Sequence, residues 1–276
     1  MELTEALAWR GRTVRWRRLG SGPPVVFCHG TPWSSALWSP LAAALSGRVT
    51  AYLWDMPGYG VSSKRPEDAV ALEVQGELLR DLVETWGLDR PHVVAHDIGG
   101  AVALRAHLLH GVELASLALV DVVALRPWGS PFFRLVREHA DVFAQLPPPV
   151  HEGALRSYVA TASHRGLSPD QLDRLVAPWL GEGQGAFYRQ IAQADEAHTA
   201  VLEQRYADVR APTYVVWGAE DAWIPVDRAR RLAATIPGAE LTVVEDAGHL
   251  VHLDQPETLA ALLTAWVLRQ TWTRGD

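Results

Sequence analysis

Cysteine is almost absent from this chain: Cys28 is the single one among 276 residues. An intramolecular disulfide is therefore excluded, and a reducing, cytoplasmic setting is the expectation. Cys28 ends the apolar run V-V-F-C (25–28), so it reads as a small buried hydrophobe and not as a catalytic thiol. Positive charge is short as well. The formal net charge of −7 argues against a nucleic-acid partner and leaves no basic patch for a membrane surface. No stretch approaches the ~18 consecutive apolar residues of a membrane span. The opening M-E-L-T-E-A-L-A-W-R lacks a basic region followed by an apolar one, so no secretory signal is expected. Repeats and low-complexity tracts are also lacking. Apolar surface, by contrast, is plentiful: 48% of residues are hydrophobic and tryptophan occurs 12 times. Such a composition excludes a disordered chain and supports a large core, with some indoles free to line an apolar pocket.

The chain alternates strand-like and helix-like stretches. Residues 13–19, 24–29, 49–54, 91–95, 116–122, 213–217 and 241–244 read as strands. Residues 73–86, 101–109 and 226–236 read as helices; in the first of these Leu79, Leu82, Val83 and Trp86 fall at helical spacing. Nearly continuous apolar strands separated by helices imply an α/β protein with a mostly parallel sheet covered on both faces. No strand pattern occurs between about 127 and 207. Helix-like pieces at 132–146 and 184–193 are interrupted there by Pro147-Pro148-Pro149 and by the glycines of 181–185. This length is too great for a loop, so residues 128–207 are expected to form an inserted helical cap, with 1–127 and 208–276 forming the core.

The sharpest local signal is H-D-I-G-G (96–100), between the strand at 91–95 and the helix at 101–109. A tight strand–turn–helix with small residues two before and two after the apex, Ala95 and Gly99, is the setting of a nucleophile elbow. Its apex is Asp97, not serine. A carboxylate is a poor acyl acceptor but displaces leaving groups from saturated carbon, which points to strained or activated C–O and C–halogen bonds. Taken alone, the same stretch also fits a buried aspartate capping a strand end. Three further motifs follow strands: H-G-T-P-W-S-S (29–35), W-G-A-E-D-A-W-I-P (217–225) and D-A-G-H (246–249). The first has a turn able to aim a backbone N–H at a developing oxyanion, with Gly30 permitting close approach. The others place Asp221 and His249 after separate strands. Nucleophile, acid and histidine thus occur in the chain order of an α/β-hydrolase.

Over nearly its whole length the sequence resembles α/β-hydrolases of the epoxide hydrolase and haloalkane dehalogenase group. The matching pieces are H-G-T-P-W-S-S-A-L-W (29–38), D-M-P-G-Y-G-V-S (55–62), A-H-D-I-G-G (95–100), G-A-E-D-A-W-I-P (218–225) and D-A-G-H (246–249). The resemblance implies the α/β-hydrolase fold with a cap and a catalytic triad of Asp97, His249 and Asp221. Asp97 would form an alkyl-enzyme ester, and His249, oriented by Asp221, would activate the water that hydrolyses it. The backbone N–H groups of Thr31 and Ile98 would hold the oxyanion. Asp121 is the alternative acid, because some relatives carry it after that earlier strand; Asp55 is expected to be structural. No metal and no cofactor are implied, and the expected partner is a small apolar electrophilic substrate.

Which bond is cut follows from departures within the resemblance. Dehalogenases of this kind hold the leaving halide with a tryptophan after the nucleophile and sometimes an asparagine after the His-Gly pair. Here those positions are Ile98 and Thr31. Trp33, Trp128 or Trp179 would have to line the pocket and substitute. Fluoroacetate dehalogenases place an arginine after the nucleophile, which Ile98 is not. Epoxide opening needs a phenolic donor from the cap, and A-F-Y-R (186–189) is similar to the segment that supplies one, making Tyr188 the expected donor and Tyr158 a second. Epoxide hydrolysis is therefore expected, with haloalkane dehalogenation as the alternative. A carboxyl-ester or lactone hydrolase and a non-catalytic ligand binder remain as further readings.

Overall fold

The computed structural model describes residues 2–272. Eight strands form one sheet: β1 (Glu5–Trp9), β2 (Arg12–Gly20), β3 (Pro24–Cys28), β4 (Thr50–Trp54), β5 (His92–His96), β6 (Ser116–Val120), β7 (Thr213–Gly218) and β8 (Glu240–Val244). Their order across the sheet is β1-β2-β4-β3-β5-β6-β7-β8. From β4 to β8 all neighbours are parallel, while β2 runs antiparallel to β4 with Trp16 opposite Trp54, and β1 antiparallel to β2. Every residue of β5, β6 and β7 is buried, as parallel strands covered on both faces require. The strand β1 is not among those expected from the sequence. It lies on the sheet edge with only Trp9 buried, so it carries no apolar run to reveal it.

Side chains alternate between two cores, as the strand period of two demands. Val25 and Phe27 face one side with α1 (Ser39–Leu45) and, further along, α12 (Pro256–Trp272), whose Leu259, Leu263 and Trp266 fill that layer. Val26 and Cys28 face the other, toward α2 (Leu72–Thr85), α3 (Ile98–His110) and α10 (Asp227–Thr235). The chain leaves β3 for β4 on one side and later returns to β5 on the other. The loops after β3 and β5 therefore diverge at the carboxyl ends of the strands, where open α/β sheets form ligand crevices.

Between β6 and β7 the chain is helical: α4 (Pro131–Glu138), α5 (Ala140–Phe143), α6 (Pro148–Ala160), α7 (Pro169–Val176), α8 (Gly183–Ala192) and α9 (Ala197–Glu203). The piece expected to run over 132–146 is broken at His139 into α4 and α5. The proline triplet separates α5 from α6 and also begins α6, since proline in a first turn sacrifices no intrahelical hydrogen bond. This segment is tied onto the crevice: Trp179 Nε1 donates to Pro32 O at 2.7 Å, and Gln190 Oε1 accepts from Thr31 Oγ1 and Tyr59 Oη, each at 2.9 Å. A short α11 (Val251–Asp254) follows the His249 turn.

Candidate active site

Asp97 occupies the elbow between β5 and α3 with φ 51° and ψ −125°, a conformation that costs a non-glycine residue about 1–3 kcal/mol. The surroundings hold it there. Its N–H donates to Val120 O, and its carbonyl accepts from Gly100 N and Val123 N, both at 3.0 Å. The turn demands glycine nearby: a Cβ on Gly99 would lie 2.5 Å from His29 O, and one on Gly30 only 2.3 Å from Asp97 Cβ. Without a side chain at Gly30, the loop after β3 closes on the carboxylate and the Thr31 N–H donates to Asp97 Oδ1 at 2.6 Å. Ile98 opens α3, where first-turn N–H groups have no intrahelical acceptor; Thr31 is the one of the two expected donors that bonds the carboxylate.

His249 stands between two carboxylates. Its Nδ1 lies 2.9 Å from Asp221 Oδ2 and its Nε2 3.4 Å from Asp97 Oδ2, an ion-pair distance. The other oxygen of Asp221 accepts from the backbone N–H of Trp223 at 2.8 Å and Ile224 at 2.9 Å. Complete burial disfavours the imidazolium, but the charges and hydrogen bonds of Asp221 and Asp97 outweigh it, so His249 is held well above its ordinary value of 6.5. Asp121 directly follows the neighbouring strand β6, and its Oδ1 accepts from Gly218 N at 2.9 Å. It does not reach the histidine. Burial, and then the charge of Asp221, push its carboxyl well above the usual carboxylate range. Asp55 ties two loops together, accepting from Ser35 N and Val61 N at 2.8 Å each.

A chamber of about 30 Å³ adjoins Asp97, with Thr31, Ile98, Trp128, Phe133, Tyr158 and Trp223 among its lining. Two expectations are corrected here. Tyr188 does not line it: the α8 helix turns that hydroxyl to His151 Nδ1 at 2.7 Å, among the rings of Phe143 and Phe187. The phenol on the chamber is Tyr158 of α6, stacked on Trp223 at 4.5 Å. Of the three tryptophans expected in one pocket, Trp128 lines the chamber, with its N–H donated to Thr199. Trp179 packs edge-on to Tyr59 and spends its N–H on Pro32 O, and Trp33 lines a separate cavity. Two residues join the site that sequence reasoning does not single out: Trp223, which stacks on His249, and Gln190, which grips the Thr31 turn. Trp223 carries a signal, two positions past Asp221; Gln190 sits far along the chain and carries none.

Behind His249 lies a group of buried imidazoles. His96 Nε2 meets His249 O at 3.0 Å, and His252 packs edge-on to both His96 and Trp38. Burial, together with neighbouring histidine charge, lowers both, His252 to about 3. They are neutral packing groups at neutral pH. Among the described residues, no group of three or more His, Cys, Asp or Glu is arranged to hold a metal ion, and no helix is long and apolar enough to cross a membrane.

The sequence pattern of the alpha/beta hydrolase family matches residues 25–262, a span running from β3 into α12 and enclosing Asp97, Asp221 and His249. The chain belongs to the alpha/beta hydrolase family. An alpha/beta hydrolase fold protein from Burkholderia ambifaria superposes with a TM-score of 0.92 at 41% identity, covering 95% of this chain and 97% of that one. A thermophilic esterase from Thermogutta terrifontis superposes with a TM-score of 0.78 at 25% identity, covering 96% and 97%. Haloalkane dehalogenase 2 of Mycobacterium tuberculosis is 26% identical over 267 residues, 92% of this chain and 91% of that protein. The fold is thus an α/β-hydrolase fold and the protein a hydrolase of that family, among relatives of differing chemistry.

Proposed function

We propose that this hydrolase uses Asp97 as a nucleophile toward saturated carbon and opens epoxides to diols through an alkyl-enzyme ester. The observation that carries this reading is a carboxylate at the elbow apex, with Thr31 N–H on one oxygen and His249 beside the other. Asp97 Oδ2 attacks the less hindered epoxide carbon, the C–O bond breaks, and the Tyr158 hydroxyl gives its proton to the leaving alkoxide. Tyr158 suits this role because its ring lines the chamber and burial, reinforced by the charge of Asp97, keeps its proton on. Esterification removes the negative charge of Asp97, one of the two that hold the proton on His249. The histidine loses that support, returns its proton to the Tyr158 phenolate, and, now a base, deprotonates a water. Hydroxide then adds to Asp97 Cγ, and the oxyanion forms on Oδ1 against the Thr31 and Ile98 N–H groups. Collapse releases the diol and restores the carboxylate. The helices α4–α9 act as the cap that keeps bulk water out.

The second reading, hydrolysis of a C–halogen bond, shares every step but the first departure, and a dehalogenase is among the relatives. A halide needs N–H donors and no proton. Ile98 offers no side-chain donor, and the indole N–H groups of the two chamber tryptophans are spent, Trp128 on Thr199 and Trp223 on Thr161; the Trp33 N–H is unpartnered but belongs to a ring on the separate cavity. The epoxide reading is therefore favoured. An ester or lactone hydrolase lacks its serine at the elbow, and a pure binder has no need of the charged Asp97–His249–Asp221 array. A panel of epoxides, haloalkanes and p-nitrophenyl esters, run with wild type and Asp97→Asn, tests the choice. Diol formation abolished by the substitution supports it; halide release from simple haloalkanes without epoxide turnover overturns it.

A further inference from the structure

The chamber beside Asp97 offers about 30 Å³ of accessible space. It has room for the hydrolytic water and is the smaller of the two spaces beside the turn after β3. Alongside lies a cavity of about 360 Å³, within the ~300–1,000 Å³ of ligand sites. The partition is the turn after β3: Thr31 lines the chamber, whereas Pro32 and Trp33 line the outer cavity. The outer walls are largely apolar, from Leu37, Pro40, Leu175, Pro178 and Leu253, and their one charged side chain is Arg174 of α7. No carboxylate pairs with Arg174 among the described residues, in a chain whose net charge is −7.

The backbone of the partition is fixed. Thr31 is bonded to Asp97 and Gln190, Pro32 O accepts from Trp179, and Trp33 N donates to Gly30 O. Its side chain is held by packing alone, Trp33 being 2% exposed. The Trp33 indole N–H is buried without a hydrogen-bond partner, whereas those of Trp128, Trp179 and Trp223 are all donated. Turning the Trp33 ring therefore breaks no hydrogen bond; it gives up core packing and a stack on Trp223 with centroids 5.7 Å apart.

We infer that the outer cavity is the subsite for the remote end of the substrate, an apolar chain ending in an anionic group that meets Arg174, and that the Trp33 indole turns aside to admit the reactive end to Asp97. The reactive end rests on the nucleophile reading above; the anionic subsite does not. Octanoate, which has an apolar chain and a carboxylate but no reactive carbon, is the binding probe, with octanamide as its neutral counterpart. In calorimetric titrations octanoate is expected to bind wild type, to bind Arg174→Gln about three- to tenfold more weakly, and to weaken with added salt; octanamide should not distinguish the two proteins. Arg174 is exposed on α7, so the variant keeps its fold, which circular dichroism checks. No octanoate binding, or equal affinity in both proteins, overturns the subsite. For the partition, the ratio of kcat/KM for a terminal epoxide of the same chain and carboxylate to that for propylene oxide should rise about three- to tenfold in Trp33→Ala. Trp33→Phe, which keeps most of the packing, should raise it less. A ratio unchanged in both variants overturns the partition. Arg174-dependent octanoate binding without any epoxide turnover supports the subsite and counts against the proposed reaction instead.

Discussion

The indole of Trp223 stacks on the imidazole of His249, with centroids 5.0 Å apart and planes inclined by 26°. The backbone N–H of the same residue donates to Asp221, the carboxylate that holds His249 Nδ1. One residue thus fixes Asp221 through its main chain and covers the His249 imidazole with its ring. Tyr158 lies against the same indole, so the proposed proton donor is held in register with the base.

Truncating that ring should loosen both partners. Trp223→Ala is expected to lower kcat by about ten- to a hundredfold, while Trp223→Phe, which keeps a stacking face, retains most activity. Equal losses in the two variants would show that the indole N–H bond to Thr161, and not stacking, is what matters.

Replacing the base isolates the first step. His249→Gln should still form the ester but not hydrolyse it. The peptide carrying Asp97 is expected to gain the mass of the substrate, as read by mass spectrometry. An unmodified peptide, from a variant whose wild type turns the substrate over, removes the two-step scheme.

The two buried acids should respond differently. Asp221→Asn removes the carboxylate that orients and balances the imidazolium and is expected to lower kcat about 10²–10⁴-fold. Burial and the charge of Asp221 push Asp121 toward its neutral form, and an asparagine oxygen accepts from Gly218 N equally well, so Asp121→Asn should lose less than about tenfold. Kinetics with the reverse ranking would move the acid to the end of β6.

Residues whose placement depends on local pattern are legible in the amino-acid sequence. Asp97, Asp221 and His249 follow apolar strands in short stereotyped turns, and the fold brings these three side chains together. Asp221 is told from Asp121 by its turn, which presents two backbone N–H groups to one oxygen. The helical segment is less legible. Its contacts with the core span long sequence separations, and helical periodicity alone does not say which face of α6 or α8 turns inward. Tyr188 and Tyr158 both lie on helices of that segment, and only the folded chain shows the Tyr188 hydroxyl bonded to His151 and Tyr158 on the chamber. Likewise nothing in the spacing of the tryptophans reveals which indole N–H groups are already occupied.

The phenols provide their own comparison. Tyr158→Phe keeps the ring on Trp223 but removes the donor, and it should slow ring opening by about one to three orders of magnitude. Tyr188→Phe breaks the bond to His151, away from the chamber, and should lower stability by about 1 kcal/mol with little effect on turnover. Single-turnover kinetics and thermal melts separate the two. Slower ring opening in the Tyr188 variant alone would restore that residue as donor.

Stability should peak near neutral pH, with two histidines shaping the flanks. His249 in the folded chain keeps a proton above its ordinary 6.5, so its contribution is complete below that value and is lost as pH rises through the folded value. His252 is lowered from 6.5 to about 3 by burial and by His249; unfolding lets it take up a proton, so stability also falls as pH drops through that interval. Melts across pH should show a shallower alkaline limb in His249→Gln and a shallower acid limb in His252→Phe. An alkaline limb unchanged in His249→Gln would contradict the raised imidazolium.

Cys28 lies on β3 with its thiol pushed up to about 12 by burial. Its strand leads directly into the turn that carries Thr31. An enzyme that handles alkylating molecules, as we propose, is exposed to self-inflicted damage at its softest nucleophile. Here that thiol is both protonated and walled in, so it is shielded from the reagents the protein is proposed to consume. Covalent labelling by electrophiles consequently has no thiol background, and the Asp97 carboxylate can be read directly against it.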